Sequence, residues 1–182
     1  MPLSRQSPPR QGVAQPWLGL DVGTRRIGVA LSNVLGIAQP LLTIERTQPR
    51  RDQRSILRLA RRYGCAGIIV GNPLHLSGDS SRQTERVHSF VDELKTLIAE
   101  TSAANENLSN ADHPSLTVHL WDERLSTAEA HAALEATGHN PADRRVRRQV
   151  GRGLVDKLAA ALILQGWLDA QSGSVTLLPP GP

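Results

Sequence analysis

The sequence predicts an α/β protein: a mixed sheet covered by helices on both faces. Three observations lead there. Residues 17–33 (WLGLDVGTRRIGVALSN) read as two strands joined by a short glycine-containing turn, which is a β-hairpin. Strand-length apolar runs then recur at 66–71 and 116–121, separated by helix-length amphipathic segments, the pattern of parallel strands with helical crossovers. Finally, Ala66-Gly67-Ile68-Ile69-Val70-Gly71 is a continuous apolar run, as expected of a strand buried on both faces.

Taken in order, residues 1–15 contain prolines, glutamines and serines and too little apolar surface to order them. They are expected to be a disordered tail, and they lack the apolar segment of a secretory signal. Residues 16–170 are expected to form one domain, followed by a flexible tail over 171–182. In the hairpin, Leu18, Leu20 and Val22 alternate with Gly19, Asp21 and Gly23, so the two sets line opposite faces. Gly23-Thr24-Arg25-Arg26 makes the turn, and Ile27, Val29 and Leu31 resume the alternation. A short third strand fits 39–44. Residues 50–63 place Ile56, Leu59 and Ala60 on one side and arginines elsewhere, an amphipathic helix ended by Gly64.

After the strand at 66–71, residues 72–81 (NPLHLSGDSS) form a turn-rich loop at its carboxyl end. Ser80 and Gln83 have the spacing of a capping box opening a helix over 82–100, with Val87, Phe90, Val91, Leu94, Leu97 and Ile98 as its apolar stripe. Residues 101–115 are polar and read as a loop. The strand at 116–121 follows, then a second capping box, Ser126 and Glu129, opening a helix to about residue 136. Residues 138–148 form an irregular basic connection, and 150–170 the last helix.

With 182 residues and 39% hydrophobic content, the chain can bury a real core. Its one cysteine, Cys65, excludes an internal disulfide framework and suits a reducing compartment. No apolar run reaches the length of a membrane span. These features predict a soluble cytoplasmic protein with no membrane partner. The net charge is +4, carried almost wholly by arginine: Lys95 and Lys157 are the only lysines. Seven arginines fall between Arg46 and Arg62 against Asp52, and five between residues 142 and 153 against Asp143. The planar guanidinium fork pairs bidentately with phosphate, so two such clusters point to a polyanionic partner near the functional centre. A solvated helix face is the plainer account of the same charge run.

Three acids fall where such a sheet can gather them. Asp21 lies within the first strand, Asp122-Glu123 leaves the strand at 116–121, and Asp156 lies in the first turns of the last helix. Alternation puts Glu123 with Thr117, His119 and Trp121, the more polar side, so Glu123 is preferred to Asp122. Asp156 is followed at helical spacing by Ala159, Ala160 and Ile163, whose small members let the helix lie close to the sheet. Carboxylates brought together repel unless cations sit between them. Oxygen ligands select hard divalent ions, hence Mg²⁺ or Mn²⁺. Such ions can activate water and stabilise the leaving oxygen of a phosphodiester. Structural ion pairs remain open at each acid: Asp21 with Arg25 or Arg26, Glu123 with Arg124, and Asp156 with Arg152.

In order and spacing, DVGTRRIGVALS, GNPLHLSGDSS, WDERLSTAEA and VDKLAAALILQGWL resemble the YqgF/RuvX family, a branch of the ribonuclease H-like superfamily related in fold to the RuvC resolvases. The likeness runs from Trp17 to Leu168. It implies a ribonuclease H-like sheet of five strands with the second antiparallel, and a metal-binding catalytic set at Asp21, Glu123 and Asp156. It also implies a nuclease maturing the 5′ end of pre-16S rRNA, acting on pre-ribosomal particles, or a Holliday-junction resolvase-like DNA nuclease. The chain departs from the family at Gly71-Asn72-Pro73, where the family usually reads Gly-Leu-Pro. Candidate substrate contacts around the acids are Arg25, Arg26, Asn72, His75, Arg124, Arg144, Arg145, Arg147, Arg148 and Lys157. The expected assembly is a monomer or a homodimer.

Two other classes compete. DVGT with a following glycine-containing strand also resembles the first phosphate loop of the actin/Hsp70/sugar-kinase group. Those proteins close two domains over a nucleotide, and no second DxGT-type loop occurs here. A non-catalytic nucleic-acid-binding domain would use the arginines and keep the acids as ion pairs. The six histidines lack metal-ligand spacing, which argues against a zinc site. Trp17, Trp121 and Trp167 end apolar segments and are expected in the core rather than as base-stacking platforms.

Overall fold

The computed structural model describes residues 15–72, 82–105, 116–122 and 152–173. These build a five-stranded sheet in the order β3-β2-β1-β4-β5, from β1 (Trp17–Val22), β2 (Arg26–Ser32), β3 (Ala38–Glu45), β4 (Gly67–Asn72) and β5 (Thr117–Asp122). The hairpin is there as expected, with β1 antiparallel to β2 and Asp21 opposite Gly28. β3 is antiparallel to β2, while β1, β4 and β5 run parallel. Pro40 sits in β3, an edge strand, beside the irregularity between Val29 and Ala30, the kind of position to which sheet prolines are confined.

Helix α1 (Pro49–Arg62) starts with proline in its first turn, and the Asp52 carboxylate accepts from the Thr47 amide and hydroxyl at 3.2–3.3 Å. It stops at Gly64, whose φ of +62° belongs to the left-handed region that glycine adopts without strain. Helix α2 (Arg82–Asn105) runs beyond the expected end at residue 100. Residues 101–105 contain no glycine or proline, and the Thr101 hydroxyl donates back to the Leu97 carbonyl at 2.6 Å, so the helix continues. Helix α3 (Arg152–Gly173) is the last element, reaching three residues past the expected end. The helix expected near 126–136 and the basic connection at 138–148 lie outside the described residues.

The period-two alternation divides the core in two. Leu18, Leu20, Val22, Ile27, Val29, Ile68 and Val70 pack with Ile56, Leu57 and Ala60 of α1 and with Val87, Phe90, Val91 and Leu94 of α2. On the opposite face, Ala30 and Ile69 pack with Ala160, Ala161, Ile163 and Leu164 of α3. Trp17, Trp121 and Trp167 lie against this second cluster, with the Trp17 and Trp167 rings 4.3 Å apart. Burial fixes the register of β1 and β2: slipping either by one residue would turn Leu18, Leu20 and Val22, or Ile27 and Val29, out of their cluster.

Candidate active site

The carboxyl ends of β1, β4 and β5, the start of β2 and the first turns of α3 meet at one end of the sheet, the usual location of ligand crevices in α/β folds. Asp21 is half-buried there, in phase with Gly19 on the side of β1 that faces α3. Its cross-strand neighbour Gly28 explains how α3 reaches it. A Cβ on Gly28 would stand 1.9 Å from the Asp156 carbonyl oxygen and 3.0 Å from the Lys157 amide nitrogen. Only a residue without Cβ admits the helix backbone so close. At Gly19 a Cβ would stand 2.7 Å from the Ala160 oxygen and 2.6 Å from the Leu164 Cβ, so the same helix is seated on two bare strand positions. Asp21 and Asp156 are thereby brought to the same face and the same end of the sheet.

Positive charge borders these acids. Arg26 opens β2, where its Nε donates to Glu45 Oε1 at 2.5 Å and its Nη1 lies 3.9 Å from Asp156 Oδ2. The hydrogen bond that Arg26 donates to Glu45, opposed by partial burial and helped by the Glu45 and Asp156 charges, holds the guanidinium above its ordinary pKa. Arg25 is exposed in the turn, and Lys157 follows Asp156 on α3, half-buried. Asn72 ends β4 in phase with Ile68 and Val70, so its side chain takes the α2 side, where Oδ1 lies 3.2 Å from His88 Nε2. Asp122 pairs in register with Asn72, and Trp121 with Gly71. Glu123, His75, Arg124, Arg144, Arg145, Arg147 and Arg148 lie outside the described residues.

The first arginine cluster divides in space. Arg46 reaches the acidic end, donating Nη1 to the Gly23 carbonyl at 3.0 Å with its guanidinium 6.0 Å from the Phe90 ring. Arg54, Arg58 and Arg61 instead line a groove of about 410 Å³ between α1 and α2, on the layer opposite α3. The expectation that the whole cluster borders the acids therefore fails, because the amphipathic α1 must bury Ile56 and Leu57 on the far face. The sequence reading also missed Gln83, whose Nε2 donates to the Val22 carbonyl at 2.8 Å and ties α2 to the end of β1. Its capping-box spacing drew notice for a different role, and its proposed partner Ser80 lies outside the described residues. Glu45 and His88 carried no signal of their own.

Chemically, the site is carboxylate oxygen bordered by guanidinium. Burial pushes the Cys65 thiol up to about 12, and that residue stands before β4, at the other end of the strand, so it is no nucleophile here. Among the described residues, no group of three or more histidine, cysteine or acidic side chains gathers at one point. The two acids are hard oxygen donors, a chemistry that fits a hard divalent cation and not a soft metal. Among the described residues, no helix is long and apolar enough to cross a membrane.

Comparison with known proteins bears on the same arrangement. Residues 15–170 match the family described as "RuvX: Holliday junction resolvase". A protein of Desulforudis audaxviator (strain MP104C) named "Putative pre-16S rRNA nuclease" is 39% identical over 155 residues, covering 85% of this chain and 94% of the relative. One of the same name from Syntrophus aciditrophicus (strain SB) is 40% identical over 156 residues, covering 85% and 89%. Among solved structures, T. thermophilus RuvC in complex with a Holliday junction substrate superposes with a TM-score of 0.52 at 14% identity, covering 88% of this chain and 98% of that one. The yeast mitochondrial Holliday junction resolvase Ydc2 gives 0.53 at 13% identity, covering 88% and 81%. At such identities these two establish the fold, the ribonuclease H-like sheet of the resolvases. The match over 15–170 and the relatives at 39% and 40% identity establish more: the chain belongs to the RuvX (YqgF) family of nucleases.

Proposed function

We propose that the chain is a divalent-metal-dependent nuclease that hydrolyses phosphodiester bonds in 5′-end maturation of pre-16S rRNA, acting on pre-ribosomal particles in the cytoplasm. The observation that carries this reading is the seat of the Asp156 backbone on Gly28, directly across from Asp21. In this reading Asp21, Glu123 and Asp156 are the catalytic, metal-holding set. Glu123 enters on the sequence pattern alone, two residues after Trp121, the spacing that strand alternation would give to one side. Once held there, Mg²⁺ or Mn²⁺ would supply an activated water and stabilise the leaving oxygen. Arg25, Arg26, Lys157, Arg124, Arg144, Arg145, Arg147 and Arg148 are the phosphate contacts, and Asn72 and His75 meet the strand at the end of β4. Their guanidinium and ammonium groups orient the scissile phosphate and favour the charge that builds on it.

A second reading, cleavage of branched DNA, has the description of the matched family in its favour. One experiment separates the two: a pre-16S rRNA leader and a four-way DNA junction are incubated with the protein side by side, with and without Mn²⁺. Cleavage of the leader, dependent on the ion and lost in Asp156→Asn, is the expected result. Cleavage of the junction alone would favour the second reading. Binding of either without cleavage in any metal would leave only a nucleic-acid-binding domain.

A further inference from the structure

Arg26 stands between two carboxylates of different kinds. Glu45 is its cross-strand partner in the β2–β3 ladder and holds Nε at 2.5 Å, while Asp156 meets Nη1 from α3 at 3.9 Å. The second distance is that of an ion pair without a hydrogen bond. Glu45 is 68% exposed at the side chain, whereas Arg26 and Asp156 are 26% and 29% exposed. The guanidinium is thus tethered on its solvent side and stops short of the carboxylate on its inner side.

We infer that Glu45 restrains Arg26 and so lessens its competition with a divalent cation for Asp156, making the Arg26–Glu45 pair a positioning device that sets the metal affinity of the site. The inference rests on the metal-holding role proposed above for Asp156. A cation held by Asp156 shares that carboxylate with Arg26, and the two positive charges oppose one another. Glu45 lessens the opposition in two ways: it offsets the guanidinium charge, and its hydrogen bond to Nε resists closure of the 3.9 Å gap. Without Glu45, Arg26 can close on Asp156 as a direct, charge-assisted fork and compete with the ion. Without Arg26, the competing charge is gone and Glu45 has nothing to act through.

The test is a Mn²⁺ titration of the full chain, freed of metal by chelation, with free Mn²⁺ followed by electron paramagnetic resonance. Glu45→Gln should weaken Mn²⁺ binding by roughly three- to fivefold, the scale of a half-exposed ion pair, and Arg26→Gln should tighten it by a similar factor. The double variant should match Arg26→Gln alone, since Glu45 acts only through Arg26. Thermal unfolding of the metal-free variants, run alongside, identifies any that fail to fold. A pair that merely fastens β2 to β3 would lower the metal-free Tm and leave the Mn²⁺ affinity of all three variants equal to the parent's. That result would overturn the inference, as would weakening by Glu45→Gln that persists in the Arg26→Gln background. If the unsubstituted chain binds no Mn²⁺, or binds it equally well as Asp156→Asn, the metal site itself fails, a distinct result.

Discussion

Asp21 is the residue on which the two accounts of the acids diverge most sharply. It lies half-buried on the α3 side of β1, at the end of the sheet that also receives Asp156. If these carboxylates serve a cation, then in the metal-free protein they repel each other, and neutralising one relieves the repulsion. Asp21→Asn should therefore abolish cleavage while leaving the metal-free protein as stable as the parent or more so. If Asp21 were instead the anionic half of a buried ion pair, the same change would cost about 3–5 kcal/mol. Thermal unfolding in chelator, set beside a nuclease assay in Mn²⁺, distinguishes the two. A large fall in Tm with cleavage retained would remove Asp21 from the catalytic set.

At the scale of the element, the seating of α3 on β2 is the feature that makes a site out of separate strands. A Cβ at Gly28 would press on the helix backbone at Asp156 itself, and backbone cannot rotate away as a side chain can. Gly28→Ala must push α3 off the sheet, at about 1–3 kcal/mol, the usual cost of overpacking. Cleavage should fall further than that loss of stability explains, because a shift of about 1 Å at a catalytic group can cost about a hundredfold in rate. Gly153→Ala in the same helix is the control: its Cβ would meet the Thr43 Oγ1 at 3.4 Å, an ordinary contact, and both Tm and cleavage should hold. Equal rates for the two variants, measured in Mn²⁺ at matched folded fraction, would show that the close seat does not position Asp156.

The whole molecule has two unlike layers. The α3 layer carries the acids together with Arg26 and Lys157, and the α1–α2 layer carries the arginine-lined groove on the other side of the sheet. Nucleic acid engaged at the acids should therefore draw little on Arg54, Arg58 and Arg61 of α1. Neutralising Arg144, Arg145, Arg147 and Arg148 together should weaken binding across sequences and flatten its dependence on salt by about one unit of slope per lost phosphate contact. Neutralising Arg54, Arg58 and Arg61 should change either quantity much less. Affinities measured over a series of salt concentrations decide the matter, and an unchanged slope in the quadruple variant would mark those arginines as solvated surface.

Much of this protein was legible in its sequence because short-range periodicity encodes it. Alternation at Leu18, Leu20 and Val22 against Gly19, Asp21 and Gly23 named the two faces of β1 before any fold was known, since strand side chains must alternate. The mixed sheet and the two-sided helices followed from the hairpin and the buried run at β4. Asp21 and Asp156 were singled out by their positions on a strand and a helix. Their gathering was decided only by tertiary packing, because nothing local to Gly28 says that a helix begun more than a hundred residues later will lie on it. The division of the arginines was equally illegible: charge is counted along the chain, but the apolar stripe of α1 sets which layer receives it. The bridge from Glu45 through Arg26 to Asp156 joins two strands and a helix, and it exists only once the sheet and its covering layer have assembled.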